Sequence, residues 1–293
     1  MNDFYIILTG ILVAVSCSIL GTFLVLRKMA MVGDAISHAV LPGIVLSFFI
    51  TGSRESIWML IGAGLMGVFT TLIIEWLHKK TKLQEDASIG VTFTFLFALG
   101  VLLISYFAEN IDLDQECVLY GEIAYVPLNT IMLFGLELPK AIVMLAVVLI
   151  LITAVIFFFY KEWVITTFDA PYAASIGMST VLWNYILMSM VSFTTVASFE
   201  SVGAILVVAF LVVPASAAYL ITDSLPKTLF FAVLFGIISS VAGYYSASIL
   251  DVSISGAMAT AAGIIFIICF ILQWIQKQIH TSPSILQAEE QDV

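Results

Sequence analysis

Residues 141–160 read AIVMLAVVLILITAVIFFFY, twenty positions in a row without a charged side chain. An α-helix rises about 1.5 Å per residue, so about 20 apolar residues cross the roughly 30 Å hydrocarbon layer of a bilayer. The apolar residues are continuous and do not alternate with polar ones, as they would in a strand of a membrane barrel. The stretch therefore predicts one membrane-spanning helix.

The rest of the chain repeats this pattern eight times. The further apolar runs lie at 4–26, 33–50, 56–77, 88–107, 180–198, 201–221, 228–249 and 255–275. Of the 293 residues, 62% are hydrophobic and only 10% are charged, whereas soluble proteins carry roughly 25% charged residues. We therefore predict an all-α, polytopic transmembrane helical bundle of about nine spans. In this interpretation residues 1–279 form the transmembrane domain and residues 280–293 form a flexible cytoplasmic tail.

The positions of lysine and arginine predict how the chain is oriented, because cytoplasmic connections of membrane proteins are enriched in both residues. One set of alternate connections carries Arg27, Lys28, Lys79, Lys80, Lys82, Lys161, Lys227 and Lys277. The opposite connections carry only Arg54 and Lys140. This alternation puts the N-terminus outside and the C-terminus inside. The net charge of −10 lies mostly in the connections and the tail, and it gives no indication of a nucleic-acid partner.

The run at 33–50 is the weakest of the nine, because polar residues and a proline interrupt it. Residues 31–43 read MVGDAISHAVLPG. Residues four apart lie on one face of a helix, so Asp34 and His38 present a carboxylate oxygen and an imidazole nitrogen at the same place. Mixed oxygen and nitrogen ligands suit Mn²⁺, Fe²⁺ and Zn²⁺, and ionisable groups at membrane depth usually line a pathway or pair with one another. The pair is our candidate metal site.

A structural role is the alternative for this pair. Asp34 would then cap the helix near its cytoplasmic end and form an ordinary hydrogen bond with His38. Two protein ligands also do not complete a metal site, so water, the facing helices or a second subunit would supply the rest. Gly33, Pro42 and Gly43 flank the pair, and such residues allow a broken or closely packed helix.

The longest cytoplasmic connection, about 161–179, predicts a short helix. Asp169 is a suitable N-cap just ahead of Pro171, and Gly177 is a suitable residue to end the helix. Such a helix, lying against the cytoplasmic face, could receive motion from a motor protein. It could equally be an amphipathic connector, and the residues alone leave both interpretations open.

The longest outer connection, about 108–140, is acidic and moderately apolar, and we expect a short surface or re-entrant helix in it. Its acidic residues include Glu109, Asp112, Asp114, Glu116 and Glu122. These carboxylates could attract cations or pair with basic residues of a delivering protein. The alternative is a solvated loop on the side of the membrane that tolerates negative charge.

Five stretches, in the same order over about 180 residues, carry a resemblance to a known family. They are MAMVGDAISHAVLPG at 29–43, EDASIG at 85–90, LYGEI at 119–123, FDAPYAASIG at 168–177 and VGAILVVAFLVVPA at 202–215. Together they resemble the membrane permeases of the zinc, manganese and iron importers of the ATP-binding-cassette type. The bundle is accordingly expected to be similar to the permeases of vitamin and metal-chelate importers.

The resemblance implies a set of partners and roles. The permease would pair with a second permease, identical or related, with cytoplasmic ATP-binding-cassette ATPases and with an extracellular or periplasmic metal-binding protein, in the bacterial cytoplasmic (inner) membrane. It assigns the metal to Asp34 and His38, and the contact with the ATPase to the segment of Asp169, Ala173 and Gly177. The transported ion would be Mn²⁺ before Zn²⁺ or Fe²⁺, with no cofactor bound permanently.

The chain lacks a Gly-x-x-x-x-Gly-Lys-Ser/Thr phosphate loop, so we predict a transporter subunit and not an enzyme that hydrolyses ATP. The main rival is a proton-coupled secondary metal transporter that uses Asp34 and His38 as an exchange pair. Such transporters often contain inverted repeats, and the sequence offers no convincing one. A membrane enzyme is a more distant alternative, because no set of a nucleophile and a base is visible.

Overall fold

The computed structural model describes residues 2–51, 56–107, 123–133 and 136–289. Within these ranges the chain forms twelve α-helices, one 3-10 helix and one β-hairpin. The helices are α1 (Asn2–Leu26), α2 (Met31–Ala39), α3 (Leu41–Thr51), α4 (Ser56–Lys80), α5 (Glu85–Phe107), α6 (Lys140–Phe158), α7 (Tyr160–Phe168), α8 (Ala170–Ser175), α9 (Thr180–Val202), α10 (Ala204–Ile221), α11 (Leu225–Leu250) and α12 (Ile254–Glu289).

The described ranges contain nine helical segments that are long and apolar enough to cross a bilayer, which confirms the predicted helical bundle of about nine spans. Eight of these segments are single helices, and the ninth consists of α2 and α3, which meet at Val40. Proline has no N–H group, so Pro42 cannot donate to the carbonyl of His38 as a continuous helix would require. The break is local, because Val40 keeps helical dihedral angles and is hydrogen-bonded to Ile36 and Ile44, and it lies where the sequence predicted a weak helix.

Helix α1 forms the centre of the bundle, where it packs against α6, α9, α10 and α11. Val13, Cys17, Leu20 and Leu24 are completely buried. Their spacing of four, three and four residues keeps them on one face of a helix. The central position of α1 fixes its C-terminal end, from which the chain passes directly into α2.

Glycines allow several helices to approach each other at backbone distance. A methyl group added at Gly21 of α1 would overlap the backbone carbonyl oxygen of Leu211 in α10. Gly43 of α3 and Gly62 of α4 face each other, and a Cβ at Gly62 would lie 2.7 Å from the carbonyl oxygen of Gly43. Small residues at helix crossings are typical of membrane proteins, where close packing replaces the hydrophobic effect as the source of association. The close packing predicted around Gly43 is therefore present.

Part of the connection at about 108–140, where a short surface or re-entrant helix is expected, lies outside the described residues, so that expectation stays a prediction. The described part contains a 3-10 helix (Ile123–Leu128), followed by β1 (Thr130–Leu133) and β2 (Leu136–Pro139), which pair antiparallel. The partly apolar sequence was compatible with either helix or strand, and pairing between two strands decided the outcome. This hairpin is an addition to the predicted all-α fold. The acidic residues predicted to attract cations, together with the LYGE part of the outer motif, lie outside the described residues.

Helix α12 runs to Glu289, beyond the boundary at residues 279 and 280 that the sequence suggested. The flexibility of residues 280–293 stays a prediction.

Replacement of Gly21 with alanine tests the crossing of α1 and α10. The added methyl group would force the two backbones apart, and overpacking of this kind costs about 1–3 kcal/mol. We expect Gly21→Ala to lower the thermal midpoint of the detergent-solubilised protein. Gly263→Ala is the matched control, because no atom lies within 4 Å of an added Cβ there and alanine favours a helix. Equal midpoints for the two variants would contradict the described crossing.

Candidate functional site

Helix α2 carries the two residues that the sequence predicted as metal ligands. The Nε2 atom of His38 lies 3.6 Å from Oδ1 of Asp34, one helical turn away. The structure therefore places the two side chains together, as their spacing predicted. The separation exceeds that of a hydrogen bond between nitrogen and oxygen, about 2.7–3.2 Å. The two side chains are therefore not joined by an ordinary hydrogen bond, which was the alternative interpretation of their spacing.

The two faces of α2 differ sharply. Val32, Ala35 and Ile36 are almost completely buried, and α2 packs against α4, α5, α9 and α10. By contrast, the side chain of His38 is 37% exposed and that of Asp34 is 35% exposed. The apolar face thus holds α2 in the bundle, while the ionisable pair faces space that this chain leaves open.

Two aromatic rings of α5 position the imidazole of His38. The ring of Phe93 lies 5.8 Å from it between centroids, and the ring of Phe97 lies 5.7 Å away in an edge-on arrangement. Aromatic pairs at such distances are favourable by about 0.5–1.5 kcal/mol. Sequence reasoning missed these two residues, and only their spacing of four residues in the run at 88–107 could have indicated that they share a face.

The pair can contact one ion jointly. Metal bonds to histidine nitrogen and carboxylate oxygen are about 2.0–2.2 Å long, so one ion could bridge atoms 3.6 Å apart. The described residues contain no group of three or more His, Cys, Asp or Glu side chains that could hold a metal. Asp34 and His38 would therefore supply only part of a coordination shell, as the sequence suggested.

The short helix predicted in the connection at about 161–179 is confirmed as α8. The side chain of Asp169 accepts a hydrogen bond of 2.9 Å from the backbone N–H of Tyr172, so Asp169 is the N-cap. Gly177 has a φ of +85°, which favours glycine. The N–H of Gly177 bonds to the carbonyl of Ala174, and the N–H of Met178 bonds to the carbonyl of Ala173. These two bonds form a Schellman motif, which ends the helix.

The residues predicted to contact an ATPase thus have structural roles in α8. Asp169 begins it, Gly177 ends it and Ala173 is completely buried. Their role in ATPase contact stays a prediction. The large apolar side chains that point outward are those of Phe168, Tyr172 and Ile176, which are 60%, 53% and 49% exposed. Sequence reasoning missed these three, although their spacing of four residues is visible in the chain.

The comparison with known families identifies the chain. The model of the ABC 3 transport family matches residues 4–273. The chain belongs to the ABC 3 transport family. This match spans all nine described crossings except Asp3 at the start of the first and the last residues of the ninth, and it confirms the family that five sequence motifs predicted.

Relatives of this ABC 3 family chain include proteins with named transport roles. The manganese transport system membrane protein MntD of Bacillus subtilis is 52% identical over 91% of this chain and 90% of its own length. The zinc transport system membrane protein TroD of Treponema pallidum is 40% identical over 91% of this chain and 72% of its own length.

Solved structures agree with the described fold of this ABC 3 chain. The structure of PsaBC from Streptococcus pneumoniae in complex with Fab matches with a TM-score of 0.75 and 32% identity, covering 91% of this chain and 90% of that one. A protein described as a metal-chelate type ABC transporter in an inward-facing conformation matches with a TM-score of 0.64 at 15% identity, covering 92% of this chain and 85% of that one. The second likeness bears on the fold alone, and it agrees with the expected similarity to metal-chelate importers.

The N-cap of α8 can be tested by hydrogen exchange. Asp169→Ala removes the acceptor for the N–H of Tyr172, and the loss of an N-cap costs about 1 kcal/mol, which corresponds to about fivefold faster exchange of that amide. Asp169→Asn is the matched control, because asparagine caps helices about as well as aspartate. Equal exchange in the alanine and asparagine variants would show that the cap does not stabilise α8.

Proposed function

We propose that this chain is the membrane-spanning permease of an ATP-driven importer of divalent transition-metal ions. The observation that carries the proposal is the Asp34–His38 pair, which faces open space within the second span at a separation one ion can bridge. The transport roles named for the relatives, manganese and zinc, involve ions that these two ligand types suit. The ion is cargo, and the proposal includes no permanently bound cofactor.

Manganese is the first choice of substrate, with zinc and iron as the other candidates. The ligands on offer are a carboxylate oxygen and an imidazole nitrogen. Cys17 and Cys269, the two cysteines among the described residues, are buried on α1 and α12. A site without thiolate is compatible with manganese, which prefers oxygen and nitrogen over sulfur. The relative that is 52% identical over most of both chains is named for manganese, which supports this order.

The transport cycle needs other polypeptides, because the sequence contains no phosphate loop of its own. We infer that a cytoplasmic ATP-binding-cassette ATPase docks on α8, and that the exposed Phe168, Tyr172 and Ile176 form the contact. A second permease, facing this one across the ion, would complete the coordination that Asp34 and His38 begin. A metal-binding protein outside the bacterial cytoplasmic membrane would deliver the ion.

Variants of the two proposed ligands test the metal site. We expect Asp34→Asn and His38→Gln each to lower ATP-driven manganese uptake by at least about tenfold, since even losing an indirect partner of a metal ligand costs 10–100-fold. Uptake of radioactive manganese is measured in vesicles that contain the complete complex. Asp223→Asn and His78→Gln are matched controls, because both residues are exposed elsewhere in the chain.

Two results would contradict this function. Normal uptake by both ligand variants would remove the site assignment. Uptake by this chain alone, driven by a proton gradient without ATPase or ATP, would favour the secondary transporter instead. In contrast, dependence on ATP and on the partner ATPase supports the importer.

The proposed ATPase contact is tested by the double variant Tyr172→Ser/Ile176→Ser. Truncation of an anchor residue at an interface commonly costs about 2 kcal/mol, so the affinity for the ATPase should fall by at least about tenfold. The control is Tyr245→Ser/Ile249→Ser on α11, which removes residues that are 57% and 81% exposed on the opposite predicted face of the membrane. Equal co-purification of the ATPase with both double variants would exclude α8 as the docking segment.

A further inference from the structure

The turn between α1 and α2 is short and closely bonded. Lys28 has a φ of +62°, which is uncommon for a residue with a side chain. Its N–H bonds to the carbonyl of Val25 at 3.0 Å, and the N–H of Met29 bonds to the carbonyl of Leu24 at 2.9 Å. A further bond of 3.1 Å joins the N–H of Val32 in α2 to the carbonyl of Met29. The start of α2 is therefore tied to the end of α1 through backbone hydrogen bonds.

Arg27 connects this turn to the last turn of α7. Its Nε donates to the hydroxyl oxygen of Thr167 at 3.2 Å, and its Nη2 donates to the hydroxyl oxygen of Thr166 at 3.1 Å. The guanidinium carbon also lies 5.6 Å from the ring centroid of Trp163, within the range of a cation–π contact. One side chain thus makes three contacts with one short helix. The two threonines lie 139 and 140 residues after Arg27 in the sequence.

The first turn of α7, the helix that Arg27 contacts, is anchored in the bundle. Trp163 is completely buried, with its ring 5.4 Å from Phe23 of α1 and 5.3 Å from Trp183 of α9 between centroids. Thr166 is 6% exposed. Helix α7 then leads through Asp169 directly into α8, and α8 packs against both α7 and α9.

The partners of Arg27 are neutral. Among the described residues, no carboxylate oxygen lies within 4.0 Å of its guanidinium. Burial lowers the pKa of Arg27 to about 10, which still leaves it protonated at neutral pH. Its charge is favourable beside the C-terminal turn of α7, where the helix dipole is negative. Arginine suits this position better than lysine because its rigid fork can donate to two acceptors at once.

We propose that Arg27 is a positioning residue that links movement of α8 to the orientation of the Asp34–His38 pair. This inference rests on the proposed function and names the part of the chain that transmits the motion. A displacement of α8 by its ATPase moves the last turn of α7. Arg27 carries that displacement to the turn at Lys28, and α2 begins at Met31, three residues before Asp34.

The test compares transport with ATP hydrolysis in vesicles that contain the complete complex. Arg27→Gln removes the charge and the fork, and we expect metal uptake per ATP hydrolysed to fall by about tenfold, within the range of typical coupling between sites. ATPase co-purification and ATP hydrolysis should stay within about twofold, because Arg27 faces α7 and not the exposed residues of α8. Lys80→Gln, which removes another charge from the same predicted face, should leave the ratio unchanged.

A second variant distinguishes loss of the proposed link from destabilisation of the fold. Thr166→Val/Thr167→Val keeps the shapes of the two acceptors but removes their hydroxyl groups, and it should lower uptake per ATP as Arg27→Gln does. The combination of all three substitutions should be little worse than Arg27→Gln alone, because all of them break the same link. Arg27→Lys should retain part of the coupling.

The outcomes separate the two proposals. If the wild-type complex imports no metal with ATP, the proposed function fails and the role of Arg27 fails with it. If the wild type imports metal and Arg27→Gln has the same uptake per ATP, only the role of Arg27 is overturned. A parallel loss of thermal midpoint, ATPase association and uptake in both variants would show that these residues only stabilise the fold.

Discussion

The hydrocarbon layer offers the backbone no hydrogen-bond partner, and this constraint shapes the whole chain. Each unsatisfied N–H or carbonyl group costs several kcal/mol there, so crossing segments are helical and breaks survive only inside protein. The break at Val40 obeys this rule, because Val40 is 2% exposed and Pro42 packs closely against Gly100 of α5. A broken helix can thus stay in the membrane and carry an ionisable pair, Asp34 and His38, just before the break.

The features that the sequence predicted well are those that depend on neighbours along the chain. Nine spans follow from runs of apolar residues, and the ends of α8 follow from Asp169 and Gly177, because length, polarity and capping are local properties. The interrupted run at 33–50 likewise predicted the break between α2 and α3. The pairing of β1 with β2 was not predicted, because a strand is stabilised by a partner strand, and the same apolar residues are compatible with a short helix.

Contacts between distant parts of the chain could not be predicted from a single sequence. The spacing of Asp34 and His38 indicated their shared face, but nothing along α5 marked Phe93 and Phe97 as neighbours of the imidazole. Arg27 is an ordinary inner-face basic residue in the sequence, typical of the end of a membrane helix. Its partners lie about 140 residues later, at two threonines without any distinguishing motif. The resemblance to a family indicated the function. The proposed link through Arg27, between α8 and the Asp34–His38 pair, could be found only in the three-dimensional arrangement.

The geometry of α2 explains why a link at its N-terminal end would matter for the proposed release of an ion. Asp34 and His38 are not hydrogen-bonded to each other, and both belong to one helix whose opposite face is buried. They therefore move with α2 as a unit, and a change in the tilt of α2 would change how the two proposed ligands face an ion. The turn at Lys28 lies at the end of the span, where the chain leaves the bilayer. Through its contacts with α7, Arg27 would transmit movement to that turn. A protein outside the membrane could then alter ion coordination while the packed core around α1 stays closed.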